Sequence, residues 1–325
     1  MQARTASHDI ISLGIQPKVE SSMILVTGAT GFIGQHLVTW LSSQQHLLTC
    51  LVRPSYHERQ FAPGVAVRIV AGNVDDPPAL RLAMHDVTAV IHLTAARNGD
   101  DDQTLEATNV QGTQNVIEAM HEAGVTRLIA LSPIGADTHS AYAFLRSKGL
   151  ADDLVRRSEL NYTLIQSSAV YGPGDHWTEA IATLLRRWPF AFPIAGDGKG
   201  RLQPIAVSDL LTCFGKCLTE PKTIKATFLV GGPQHLTYDE MVSVIMEATR
   251  HRRRKRYLRP ANAVSYARFL SSLIGGNPIY APADLDLLAV DRTTTLDAVA
   301  YQFGFSPVRM ANALDYLKPQ PHHRR

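Results

Sequence analysis

The sequence predicts a doubly wound α/β fold: a Rossmann-type parallel sheet followed by a smaller C-terminal α+β lobe. Three observations predict it. A short branched apolar run, MILV at Met23 to Val26, leads into glycines at positions 28, 31 and 34. These run directly into FIGQHLVTWL, whose apolar residues recur with helical spacing. Further short apolar runs then alternate with helical stretches as far as Ser168, which implies parallel strands, right-handed crossovers and helices on both faces.

The first run suits a strand buried on both faces. In the helix that follows, Phe32, Ile33, Leu37, Val38 and Leu41 fall toward one face. A strand, a tight glycine turn and a helix aim backbone N–H groups and the positive helix end at a phosphate. Gly28 permits the turn, Gly31 lets a pyrophosphate approach the backbone, and Gly34 lets the helix pack on the strand. A glycine turn without a ligand would show the same spacing. The strand before it and the helix after it favour the nucleotide.

The later strands read LLTCLV (Leu47 to Val52), VRIV (Val67 to Val70), AVIHL (Ala89 to Leu93), RLIALS (Arg127 to Ser132) and YTLIQSS (Tyr162 to Ser168). NVQGTQNVIEAMHEAG and the segment around Tyr142 to Glu159 read as helices. A sheet of this kind binds its ligand at the carboxyl ends of its strands. After Gly172 the pattern loosens into proline and glycine loops carrying Trp177, Trp188, Phe190 and Phe192. LTYDEMVSVIMEATR opens with a capping box at Thr237 and Glu240, and helices continue to Leu317. The division expected is a flexible extension over 1–22, a nucleotide-binding Rossmann domain over 23–172, and a smaller substrate or partner lobe over 173–325. Segments around 200–230 of that lobe are expected to return to the sheet.

The 325 residues carry 32 Lys and Arg against 29 Asp and Glu, a net charge of +3, so no whole-molecule argument points to nucleic acid. The three cysteines, Cys50, Cys213 and Cys217, have no metal-ligand spacing, and no metal is expected. Cys213 and Cys217 are four apart in an apolar helical stretch and read as core. A sparse, odd count fits a reducing compartment. No apolar run reaches about 18 residues, so no membrane span is expected. Met1 to Ser22 lacks a signal-peptide core, and Asp9 and Glu20 weaken a transit-peptide reading.

The motifs TGATGFIG, LVRPS, GNVDDP, VIHLTAA, TNVQGTQNVIEAM, LSPIGA, FLRSK, AVYGPGD, GDGKGRLQPIAVSDL and GGPQHLTYDEM occur in order over about residues 23–318. In this order they resemble the short-chain dehydrogenase/reductase superfamily, of the NAD-dependent epimerase/dehydratase kind. More narrowly they resemble its extended and atypical branch, close to the nucleotide-binding accessory subunit of respiratory complex I and its bacterial relatives. The resemblance implies a cofactor site built from Gly28, Thr30, Gly31, Phe32, Ile33, Gly34, Arg53, Asn73, Val74, Ala95, Ala96, Asn109 and Lys148. Asn73 and Val74 match the segment beside the adenine, although aspartate is usual where Asn73 stands. Ala95 and Ala96 would line the cofactor path. Asn109 matches an asparagine that supports the catalytic helix, and also reads as a helix cap. Lys148 matches the lysine that binds the nicotinamide ribose. Arg53 stands where an acidic residue would mark an NAD site. A cation there pairs with a 2′-phosphate, so NADP(H) is favoured over NAD(H); a solvated surface arginine is the alternative.

The departures bear on chemistry. The superfamily's tyrosine precedes its lysine by four residues, one helical turn. Here that position is Phe144, a ring that neither gives nor takes a proton. Positioned acids and bases typically contribute about 10² to 10⁴ in rate. Ser132 is the candidate for the superfamily serine, with Pro133 at the neighbouring position. Gln166 and Ser167 stand where relatives have arginine and proline. Tyr171 is a candidate replacement acid at a strand end, and also reads as a packed ring in the YGPG turn. Tyr142 lies six residues before Lys148, so it could serve only if the helix starts after it. Ser132, Asp137 and His139 have the residue types of a nucleophilic triad, but their closeness in one loop reads as chance.

RHRRRKRYLR, from Arg250 to Arg259, holds seven basic residues in ten. It precedes NAVSYARFLSSLIGG, where Leu270, Leu273 and Ile274 read as an apolar patch. Segment 250–274 is therefore a candidate for docking on an anionic membrane surface or an acidic protein complex, against a solvated edge as the plain reading. Nucleic acid is not expected, because no aromatic platform accompanies the charge.

The sequence reads as an NAD(P)(H)-binding protein without standard catalysis, its nucleotide structural or sensing, with association to a membrane or respiratory complex. The alternative is an NADP-dependent oxidoreductase or epimerase acting on a small carbonyl or sugar-like substrate, with Tyr171, water or a substrate group as acid. A scaffold that binds no nucleotide is a third reading. The location expected is cytoplasmic, peripheral at the inner face of an energy-transducing membrane, with organelle import left open.

Overall fold

A computed structural model describes residues 23–56, 61–274, 279, 287 and 290–318. The expected extension over 1–22 lies outside the described residues. The central sheet has seven parallel strands: β1 (Met23–Thr27), β2 (Leu47–Val52), β3 (Arg68–Ala71), β4 (Val87–His92), β5 (Arg127–Pro133), β6 (Asn161–Ser167) and β11 (Ala226–Val230). Their order is β11-β6-β5-β4-β1-β2-β3, with β1 at the point where the winding reverses. The last strand, β11, comes from beyond Gly172 and pairs with β6 from Ala226↔Thr163 to Val230↔Ser167.

Helices cover both faces, as apolar strands without alternation require. On one face α1 (Phe32–Ser43) buries Leu37, Val38 and Leu41, and packs with α7 (Val207–Thr219), which contributes Leu210, Cys213, Phe214 and Cys217. On the other, α2 (Pro77–Ala83), α4 (Gly112–Ala123) and α5 (Ala143–Arg157) cover Leu25, Val90, Leu128 and Leu164. Cys50, Cys213 and Cys217 are core residues, and burial pushes the Cys50 and Cys217 thiols up to about 12. Phe32 and Ile33 are only half-buried, because they sit at the mouth of the sheet.

A third core lies beyond the strand ends. It packs α6 (Trp177–Arg187), α8 (Tyr238–Thr249) and α9 (Pro260–Ile274) around Ile181, Leu185, Phe192, Val242, Ile245 and Leu270. The capping box at α8 forms: Thr237 Oγ1 accepts from the Glu240 N–H at 3.2 Å, and the Thr237 N–H donates to Glu240 Oε2 at 2.8 Å. Small strand pairs knit this region, including β8 (Phe192–Ala195) parallel to β13 (Lys255–Leu258).

Candidate functional site

At the winding reversal the glycine loop borders a cavity of about 570 Å³. Its wall contains Gly28, Thr30, Gly31 and Phe32, then Arg53 after β2, Gly72 and Asn73 after β3, and Leu93 to Arg97 after β4. His176 closes it from the far side. The three glycines differ in what the protein asks of them. Gly28 has φ +71°, and a Cβ there would lie 2.8 Å from Leu93 C and Thr94 N. A Cβ on Gly34 would lie 2.2 Å from Gly28 O, so bareness here seats α1 on the loop. A Cβ on Gly31 would meet only Gly28 O, at 3.4 Å. The protein's own packing does not require that glycine. Gly31 is also the N-cap of α1 and has no side chain to cap the first-turn amides. Bare backbone and uncapped amides at a cavity wall fit a diphosphate.

Thr30, Phe32, Arg53, Asn73, Ala95 and Ala96 lie in that wall. Five residues expected at the cofactor do not, Lys148 among them. Ile33 borders the neighbouring cavity, and Gly34 is buried in the first turn of α1, against Gly28 O. Val74 is core; its N–H donates to Asn73 Oδ1 at 2.9 Å, so it shapes the wall without joining it. Asn109 is fully buried behind the wall. It sits in a π-helical turn, Glu106–Gln111, where an extra residue per turn carries its side chain between two elements. Its Oδ1 accepts from the Ala96 N–H at 2.9 Å and its Nδ2 donates to Ser147 Oγ at 2.9 Å. Asn109 thus joins the wall to α5.

A second cavity of about 480 Å³ adjoins the first, sharing Phe32, Leu93 and Ala95. Ser132, Phe144 and Lys148 border it together. Lys148 is 5% exposed, and its Nζ donates to Leu131 O at 3.2 Å. Burial lowers its pKa, against the pull of Asp152 one turn along. Burial raises Asp152, opposed by Lys148 and by Gln166, whose Nε2 donates to Asp152 Oδ2 at 2.8 Å. Gln166 therefore serves this carboxyl. Ser132 Oγ stands near the carboxyl too, without completing a hydrogen bond.

Below Lys148 lies a buried chain. Thr27 Oγ1 meets His92 Nδ1 at 2.7 Å, His92 Nε2 meets Thr113 Oγ1 at 3.1 Å, and Thr113 donates to Asn109 O at 2.6 Å. Because the Thr113 proton is committed to a carbonyl, its oxygen accepts from His92 Nε2–H, and Nδ1 accepts from Thr27. His92 is therefore neutral. Burial first, and Lys148 second, push its pKa down to about 3.

The other hydroxyl candidates are placed elsewhere. Helix α5 begins at Ala143, so Tyr142 is its N-cap, outside the lining of either cavity. Tyr171 is fully buried in the third core and also lines neither cavity. Burial raises its pKa further from use. Asp137 and His139 are exposed while Ser132 is buried on β5, so no triad forms. Among the described residues no His, Cys, Asp and Glu cluster could hold a metal.

The basic run is less open than its composition implies. Arg250 caps α8 in the left-handed region, and Arg253 Nε donates to Trp188 O at 2.9 Å. Lys255 Nζ binds Asp239 Oδ2 and Ser243 Oγ, both at 2.6 Å. In β13 Arg256 and Tyr257 are exposed, and so are Arg250, Arg252, Arg254 and Arg259 around it. Leu270 is core, which breaks the expected apolar patch; Leu273 is exposed, and the Ile274 side chain is outside the description. Among the described residues no helix is long and apolar enough to cross a membrane.

The glycine-loop cleft at a winding reversal defines a Rossmann-type nucleotide-binding fold, the fold seen in epimerase and dehydratase structures. Residues 28–179 match the family model described as NAD(P)H-binding. Photosystem II assembly factor Ycf39 of Synechocystis is 29% identical over 143 residues, 44% of this chain and 43% of that protein. The rat mitochondrial NADH dehydrogenase (ubiquinone) 1 alpha subcomplex subunit 9 is 27% identical over 253 residues, 76% of this chain and 67% of that protein. The chain therefore spans less than half of the first relative and about two thirds of the second. UDP-glucose 4-epimerase from Thermotoga maritima has the same fold, with a TM-score of 0.71 at 19% identity, covering 90% of this chain and 96% of that one.

Proposed function

We propose that this protein holds NADP(H) in the glycine-loop cleft as a structural or sensing ligand and does not turn it over by the tyrosine route of the superfamily. One observation carries the reading. Phe144 and Lys148 border the same cavity, next to the glycine loop, so the ribose-binding lysine is kept where the proton donor is missing. Arg53 in the cleft wall supports NADP, because a guanidinium pairs bidentately with a 2′-phosphate. Thermal melting tests it: NADPH should stabilise the protein more than NADH, and Arg53→Asp should remove the difference. Equal stabilisation of the unaltered protein by both nucleotides would overturn the NADP assignment.

Catalysis with another acid is the second reading, an NADP-dependent oxidoreductase or epimerase. The observation favouring it is that Ser132, the candidate for the superfamily serine, borders the same cavity as Lys148.

The relatives named for a respiratory complex and for photosystem assembly support a role beside an energy-transducing membrane. Arg250, Arg252, Arg254, Arg256 and Arg259 are exposed cations suited to an anionic surface, at about 1 kcal/mol each near lipid. Flotation with anionic liposomes should fall on Arg252→Glu with Arg254→Glu. Unchanged flotation would remove the membrane role.

A further inference from the structure

We infer that His176 is a nucleotide-binding residue, its imidazole donating a hydrogen bond to the cofactor diphosphate from the second lobe. The inference rests on the glycine-loop cleft being the cofactor site, and it adds a contact that none of the cofactor motifs contains.

Among the described residues of the cleft wall, His176 alone comes from beyond Gly172. It is exposed, and its ring has no hydrogen-bond partner among those residues. The chain on either side of it is fixed. Asp175 Oδ2 accepts from the Gly172 N–H at 3.0 Å and from Thr178 Oγ1 at 2.6 Å, and Trp177 Nε1 donates to Val170 O at 2.9 Å. His36 Nε2, on α1, donates to Pro173 O at 2.8 Å, and a Cβ on Gly172 would lie 3.6 Å from Phe32 Cζ. The loop therefore rests on the start of α1, next to the glycine loop, and carries His176 into the cleft.

The backbone agrees. His176 has φ +66°. Gln45, Asp86, Glu159, Lys225 and Arg250 share this left-handed region, but each follows the end of a helical turn, where such a residue commonly closes the helix. His176 instead stands immediately before a helix, α6. That helix does not need it as a cap, because the Thr178 and Glu179 N–H groups donate to Asp175 Oδ1 at 2.9 and 3.4 Å. A ring without a partner, held at a cavity wall on a backbone that L residues resist, is strain kept for a ligand. An imidazole has at least one N–H to give in either charge state, and a phosphate oxygen takes it in a charge-assisted bond. No bond is made or broken, so the inference holds whether or not the nucleotide reacts.

Calorimetric titration of the full chain with NADPH tests it, alongside melting curves without ligand. His176→Gly removes the ring and suits the left-handed backbone, so it should melt like the parent and bind NADPH about tenfold more weakly. His176→Gln, which returns an N–H donor at similar reach, should recover part of that loss. Parental affinity in His176→Gly, with or without a change in melting, overturns the inference, and so do equal losses in the two variants. Binding by the parent and equally by His176→Gly counts against this inference alone. A parent that binds no NADPH overturns the cofactor reading, and this inference with it.

Discussion

Asn109 holds two parts of the molecule with one side chain: its Oδ1 takes the Ala96 N–H in the cleft wall and its Nδ2 reaches Ser147 Oγ on α5, each at 2.9 Å. Ser147 in turn donates to Phe144 O, so the amide fixes the turn of α5 that carries Phe144 and Lys148.

Asn109→Ala should cost about 2–4 kcal/mol, because it strands the buried Ala96 N–H and removes the bond to Ser147 Oγ. Chemical denaturation measures this. NADPH affinity should fall too, since Ala96 borders the nucleotide cavity. Unchanged stability would mean that the wall and α5 are held by other contacts.

Gly31→Ala and Gly34→Ala should separate ligand space from packing. A Cβ at Gly34 collides with Gly28 O at 2.2 Å, so this variant should lose about 3 kcal/mol or fail to fold. A Cβ at Gly31 finds only a 3.4 Å neighbour, so that variant should melt like the parent without ligand and lose stabilisation by NADPH. Melting curves with and without nucleotide report both. Gly31→Ala with full NADPH stabilisation would contradict a diphosphate against this backbone.

His92 makes stability depend on acid. Its folded pKa is depressed, to about 3 from 6.5, so it contributes stability that is present above 6.5 and lost as pH falls toward 3. Through that window the unfolded chain binds one proton that the folded chain refuses, a slope of about 1.4 kcal/mol per pH unit. His92→Asn should be less stable at neutral pH, through the lost bonds to Thr27 and Thr113, and should show a shallower acid slope. Equal slopes would mean that His92 is protonated in the folded protein.

The sheet and the glycine loop were legible because they are local: strand, turn and helix follow one another within twenty residues. Arg53, Asn73, Ala95 and Ala96 were implied by the resemblance, and each follows a strand, where such sheets bind. What lay hidden is long-range. His176 reaches the nucleotide cavity from the far lobe, and Asp152 meets Gln166 from a different element. Lys255 reads as a solvated charge in a basic run, yet parallel pairing of β13 with a strand some sixty residues earlier turns it toward Asp239. Tyr171 sits at a strand end, as an active-site residue would, but its ring is packed into the core beyond the sheet. Leu270 and Leu273 have the same chemistry, and only the packing of α9 distinguishes the buried one.

The most direct measurement follows NADPH absorbance in the unaltered protein and in Phe144→Tyr, each saturated with nucleotide and offered a panel of carbonyl compounds. The unaltered protein should bind NADPH saturably and leave it unoxidised, while the restored hydroxyl beside Lys148 should allow turnover on a compound that fits the cavity. Steady oxidation by the unaltered protein, or a failure to bind NADPH, would contradict a site kept for the nucleotide after its proton donor was lost.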